Sequence, residues 1–192
     1  HTNIPNPKAP SLVCLDKKTG KLMGEEITGM GTRIMHGGWS SPTAGKVNGK
    51  DLVFFGGPDG IVYAFDAKPV KDPEDEEFNI LNEVWRCDGN LPEYRVDKNG
   101  KPIKYVRPDG PSEFIASPVF YKERIYIAIG QDPEHGEGVG RLVCIDATKK
   151  GDITKTGVIW AYTGINRAIS TAAIHDGLVY VADYSGWIHS VD

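Results

Sequence analysis

One five-residue phrase recurs four times along the chain and limits what it can fold into. It reads Leu12-Val13-Cys14-Leu15-Asp16, Val62-Tyr63-Ala64-Phe65-Asp66, Leu142-Val143-Cys144-Ile145-Asp146 and Ile188-His189-Ser190-Val191-Asp192. The pattern is apolar, variable, small, apolar, Asp. Its alternation and its β-branched and aromatic content predict a strand. The small third position predicts close packing, and the Asp predicts a turn, because its carboxylate bonds backbone amides two residues on.

The later copies share a run-up. An apolar run precedes each: Leu52–Gly56, Ile125–Gly130 and Leu178–Ala182. Gly-bearing turns join run to phrase, as in a β-hairpin. A short element lies upstream, at Ser41-Pro42-Thr43, Ser117-Pro118-Val119 and Thr171-Ala172-Ala173. Another lies downstream, at Glu83–Arg86 and Val158–Ala161. The unit is therefore four short antiparallel strands, A to D. The chain reads C-D, A-B-C-D, A-B-C-D, A-B-C, with almost no helical periodicity. A single helix-start signal, Asp72-Pro73-Glu74-Asp75, predicts at most one short turn of helix.

Four-stranded units repeated about an axis make a β-propeller; hairpins stacked as a solenoid are the alternative, against which stand the four-strand period and the recurring Trp. The expected fold is all-β, a partial propeller with about three blades present, as one domain over 1–192. The repeat units are about 11–35, 40–88, 116–163 and 169–192. The hairpin insertion is about 89–113, where Asn99-Gly100 predicts a type I′ turn. A partial ring would expose strand edges. The chain therefore reads as a segment of a longer propeller, with self-association as the alternative. The first residue, His1, fits either a removed leader or a cut piece.

The phrase at 12–21, Leu-Val-Cys-Leu-Asp-Lys-Lys-Thr-Gly-Lys, resembles the repeat of PQQ-like (quinoprotein-type) propellers. That resemblance implies a Trp at the end of strand D that docks neighbouring blades, a role for Trp85 and Trp160. In the first copy Met23-Gly24 stand there instead. The family spans PQQ-dependent alcohol and sugar dehydrogenases and inert propellers such as the lipoprotein of the outer-membrane barrel-assembly machinery. The expected function is a non-catalytic periplasmic or extracellular scaffold or binding module, partnered by a protein or by further blades. The alternative is a fragment of a PQQ-dependent dehydrogenase, with PQQ and calcium as cofactors. The chain lacks that family's adjacent cysteine pair, and its calcium-binding and catalytic carboxylates have no matching residues here. No catalytic residue is assigned.

Charge and composition narrow the partners. The chain carries 22 basic and 26 acidic residues, net −4, and no basic stripe of the kind nucleic acid requires. No apolar run is long enough to span a bilayer. Cys14, Cys87 and Cys144 form no CxxC pair, and their disulfide state is not readable. Cys14 and Cys144 share a repeat position with Ala64 and Ser190, so the slot wants a small residue.

In such a propeller the D-to-A connections and B-to-C turns share one face, where ligands sit. Aligning on strand A places Gly37, Glu113 and Arg167 at one repeat position near the axis. Glu113 and Arg167 are expected to form an ion pair or to bind a polar ligand, with His36, Trp39 and Asn166 as neighbours. The plainer reading of Trp39 is an inter-blade core residue. The turn at 131–138 gathers Asp132, Glu134, His135 and Glu137, donors that suit a metal, though without EF-hand spacing. The acidic insertion at 67–82 reads as a solvated loop or a cation- or partner-binding surface.

Overall fold

The computed structural model describes residues 6–130, 133–136 and 138–192. In chain order its strands are β1 (Val13–Leu15), β2 (Leu22–Glu25), β3 (Thr43–Val47), β4 (Lys50–Gly56), β5 (Ile61–Asp66), β6 (Val70–Lys71), β7 (Asn79–Ile80) and β8 (Glu83–Asp88). Then come β9 (Val119–Tyr121), β10 (Arg124–Ile129), β11 (Arg141–Asp146), β12 (Gly151–Asp152), β13 (Val158–Tyr162), β14 (Ala173–His175), β15 (Leu178–Ala182) and β16 (Ile188–Val191). They form four sheets: β1-β2-β7-β6, β12-β8-β5-β4-β3, β13-β11-β10-β9 and β14-β15-β16. We call these blades I to IV. The A-to-D strands fall where the repeat places them, and the chain is a partial β-propeller. Among the described residues no helix is long and apolar enough to cross a membrane.

The small slot of the phrase has a local cause. In register, Ala64 stands opposite Trp85 and Cys144 opposite Trp160, and the ladder shifts immediately after each. In blade I, Cys14 stands opposite Gly24. A large residue in the slot would push the docking indole away. The Asp of the phrase makes the expected turn: Asp16 accepts bonds from the Lys18 and Thr19 amides, and Asp146 from the Thr148 amide. Three A–B hairpins turn on Asn48-Gly49, Lys122-Glu123 and Asp176-Gly177, all at positive φ, as a type I′ turn demands.

Two features differ from the expectation. No helix forms at Asp72–Asp75, within the bound expected; the acidic insertion, read as a solvated loop, instead forms the hairpin β6–β7, and β7 pairs in parallel with β2 of the preceding blade. Likewise β12, in the C–D connection of blade III, adds in parallel to β8 of blade II. Each C–D connection thus sews its blade onto the outer edge of the one before. The second difference is the turn of the inserted hairpin. Gly100 has φ 75°, Asn99 is not at positive φ, and Asp97 accepts the Asn99 and Lys101 amides. Asp97 therefore opens a turn closed by a left-handed glycine, not a type I′ turn on Asn-Gly.

The blades stack face to face. Blades II and III enclose Phe54, Trp85, Phe114, Ile125, Ile127, Val143 and Ile145. Blades III and IV enclose Tyr126, Leu142, Cys144, Val179 and Val181. Near the axis a series of hydroxyls links the starts of the inner strands. The Ser41 amide donates to Ser117 Oγ (3.1 Å), and the Ser117 amide to Thr171 Oγ1 (3.3 Å). These three residues occupy one repeat position.

The two docking tryptophans differ. Trp85 is fully buried and donates its indole N–H to the Ala147 carbonyl (3.1 Å). Trp160 is less completely buried and packs at the edge of the core between blades III and IV. Against Trp85 lie both Ala147 and the added strand β12; among the described residues β13 carries no such edge strand.

Candidate functional site

The face holding the D–A connections and B–C turns gathers a cluster from three separate connections. Residues 33–42 supply His36 and Trp39, the inserted hairpin supplies Tyr105 and Glu113, and the B–C loop of blade III supplies His135 from a single 3-10 turn, Pro133–His135. The His36 ring lies 5.2 Å from the Trp39 ring, 5.9 Å from Tyr105 and 4.6 Å from His135. The Tyr105 hydroxyl and His135 Nε2 are hydrogen-bonded at 2.9 Å. Below them Glu113 is fully buried; its Oε2 accepts the Gly37 amide (3.0 Å), and its Oε1 lies 3.8 Å from His36 Nδ1.

Ionic anchors, only part of them buried, hold these connections. Arg33 Nε pairs with Asp59 (3.1 Å), its Nη2 donates to the Tyr63 hydroxyl (2.7 Å), and that hydroxyl donates to Asp59 (2.7 Å). Burial raises the Asp59 pKa against the opposing pull of Tyr63 and Arg33. The Met35 amide also bonds the Pro58 carbonyl (3.0 Å), which fixes the approach to His36. The inserted hairpin is pinned at its root by Arg95, which pairs with Asp88 and donates to the Asp59 carbonyl (3.0 Å). Asn90 and Ser112 exchange two hydrogen bonds across its base, both 2.8 Å. The loops are irregular, but their roots are fixed, so the cluster sits on a defined frame.

Of the residues expected here, His36, Trp39, Glu113 and His135 come together. Trp39 is not a core residue: it is 51% exposed. Glu113 and Arg167 do occupy equivalent places. The Glu113 carbonyl accepts the Gly130 amide, and the Arg167 carbonyl accepts the Tyr184 amide, each in the B–C turn of the following blade. Yet no ion pair joins them. Each side chain reaches back to the connection before it: Glu113 to the Gly37 amide, Arg167 Nη2 to the Arg107 and Gly110 carbonyls (2.6 and 3.0 Å). Arg167 is buried beneath that turn, and burial pulls its pKa down to about 10.

Asn166 stands apart from the cluster. Its amide donates to Asp183 and its side chain to Ser185. Asp132 and Glu137 lie outside the described residues, and Glu134 is exposed. Among the described residues no three His, Cys, Asp or Glu side chains are placed to hold a metal ion. The three cysteines are free thiols, and burial pushes Cys87 up to about 12, so it is inert at neutral pH. Tyr105 was not singled out in the sequence. Its signal was the hairpin insertion itself, which carries it to the mouth.

No family model matches the chain, and no curated protein matches it. Among solved structures it is similar to the crystal structure of BamB from Moraxella catarrhalis, with a TM-score of 0.58 at 15% sequence identity. The likeness covers 93% of this chain and 41% of that one, so this chain spans about two fifths of the length of the structure it resembles. At that identity the likeness is one of fold.

Proposed function

We propose that this chain is a non-catalytic, PQQ-like propeller segment that serves as an extracytoplasmic scaffold or binding module, and that its partner docks at the mouth bordered by Trp39. The observation that carries this reading is a tryptophan, 51% exposed, on a rooted loop and edge-on to His36. An exposed tryptophan beside imidazole and phenol rings supplies large contact area and polar edges together, the composition of interface hot spots. The net charge of −4 favours a basic partner surface. Periplasmic or extracellular placement rests on the repeat resemblance, and the fold shared with BamB is compatible with it.

A photocrosslinking residue at position 39 tests this, with position 17 as control. Lys17 is exposed in a C–D turn, on the other face. A defined adduct in the cell envelope from position 39 and none from 17 is expected. Identical adducts from both positions, or none from either, would overturn the docking assignment. Oxidation of an alcohol or sugar after reconstitution with PQQ and calcium would overturn the non-catalytic reading.

A further inference from the structure

We infer that the inner rim of the propeller binds an extended segment of a partner polypeptide, with apolar side chains at alternate positions and basic flanks, along a row formed by Trp39, Ile115 and Ile169. The inference rests on the reading of this mouth as the docking face and names what docks there.

The row is a repeat position. It stands two residues after Gly37, Glu113 and Arg167, in the third place of the aligned D–A connections. Hydrogen bonds between equivalent residues bring its members side by side. Before the row, the Gly37 amide donates to Glu113 Oε2 (3.0 Å). After it, Ser40 Oγ donates to the Ala116 carbonyl (3.0 Å) and the Ser41 amide to Ser117 Oγ (3.1 Å). The Ser117 amide carries the series on to Thr171 Oγ1 (3.3 Å). Exposure alternates along the connections. Ser40 and Ala116 are buried, whereas Trp39 and Ile169 are 51% and 45% exposed and Ile115 is half-buried. Two places further on, Ser41 and Thr171 are exposed and Ser117 is half-buried. The rim therefore presents an apolar row with a row of hydroxyls beside it.

Single exposed apolar residues are ordinary on a protein surface and need no partner. These three differ because one position repeats the exposure in successive blades and joins it into a strip continuous with the contacts that link the blades. A flat ligand on the Trp39 ring would leave Ile115 and Ile169 uncovered. An extended segment matches the strip. Its side chains alternate in direction, and those on one side recur about every 6.6–6.8 Å, a step that suits backbones held one side chain apart. The Ser117 and Thr171 oxygens accept bonds in the series, and their O–H groups are donors for the carbonyls of the segment. Backbone bonds for affinity and alternate side chains for specificity are the usual division in recognition of extended peptides. The net charge of −4 favours basic over acidic flanks.

Fluorescence anisotropy of a labelled synthetic peptide, titrated with the 192-residue chain, tests the inference. The peptide alternates leucine with threonine and carries a lysine at each end. A second peptide has the same composition with its leucines side by side. Saturable binding of the first is expected, at least tenfold tighter than that of the second. Trp39→Ala and Ile169→Ser should each weaken it at least fivefold; both residues are exposed, and an unchanged circular dichroism spectrum confirms the fold. Equal affinity for the two peptides, no saturable binding up to millimolar concentration, or a loss through Trp39→Ala with none through Ile169→Ser overturns the inference. Crosslinking from position 39 in the cell envelope keeps the two readings distinct. A defined adduct there, from a protein that binds neither peptide, refutes the extended segment alone and leaves the docking face standing.

Discussion

Glu113 and Arg167 hold the same place in successive repeats, carry opposite charges and end in opposite surroundings. Each reaches back to the connection preceding its own. Glu113 is an acceptor and finds an N–H, at Gly37; Arg167 is a donor and finds carbonyls, at Arg107 and Gly110. The backbone of a connection offers both kinds of partner, so a repeat position tolerates either charge provided the preceding loop turns the matching groups inward. What differs is the covering. Over Glu113 lie rings and a partly open mouth; over Arg167 lies a closed turn, and Gly138 packs so tightly that a Cβ there would clash with the guanidinium. One position therefore became a candidate site and the other a brace. The junctions around them differ likewise: between blades II and III the docking indole is fully buried, and between III and IV it is partly exposed.

That contrast makes measurable claims. Trp85→Ala should cost about 3–5 kcal/mol, the penalty of deleting a large buried aromatic. Trp160→Ala should cost less, about 1.5–2.5 kcal/mol, because that side chain is only partly buried at the edge of its junction. Equal shifts in the urea midpoint would erase the difference between the junctions. Arg167→Ala should cost about 2–3 kcal/mol, less than Trp85→Ala, by stranding two carbonyls that now accept charge-assisted bonds. Glu113→Gln should cost only about 1 kcal/mol, since the amide oxygen still accepts the Gly37 N–H. A Glu113→Gln loss as large as that of Arg167→Ala would show that the charge of Glu113 itself, not its acceptor, holds the preceding loop.

Much of this architecture was written in local chemistry. The alternating phrase, its small slot and its Asp each correspond to a strand, a facing Trp or Gly, and a turn. The added strands β6, β7 and β12 were not legible, because pairs of two residues leave no alternation to read. The inserted turn was misread because Asn-Gly is a strong signal taken alone, whereas Asp97, two residues earlier, binds the amides that decide the geometry. At the mouth, the repeat located Glu113 and Arg167 but not the direction of their side chains. That direction depends on the path of the preceding loop, which Arg33 and Arg95 set through partners distant in sequence. Tyr105 was hidden for the same reason.

The smallest expected effect concerns acid. The junction between blades III and IV carries a polar chain: Asp183 Oδ2 and His189 Nε2 are 3.0 Å apart, and His189 Nδ1 and the Tyr162 hydroxyl 3.2 Å. Burial opposes the Asp183 charge, but the Asn166 amide, His189 and the Trp187 and Ser185 amides outweigh it and hold its pKa below the usual carboxylate range. A carboxylate with a depressed native pKa contributes stability that is fully present above its unfolded pKa, about 3.9, and is lost as pH falls through the lower native value. The junction between blades II and III rests instead on apolar packing and on the neutral bond from Trp85 to Ala147. Between pH 6 and pH 3, amide exchange corrected for intrinsic rates should therefore accelerate more at Val179 and Val181 of β15 than at Ile125 and Ile127 of β10. Asp183→Asn should remove most of that difference, because the amide keeps an acceptor but has no charge to lose. Parallel acceleration of the two strands, or an acid response in the Asp183→Asn protein as large as in the parent, would show that the acid sensitivity does not reside in this chain of bonds.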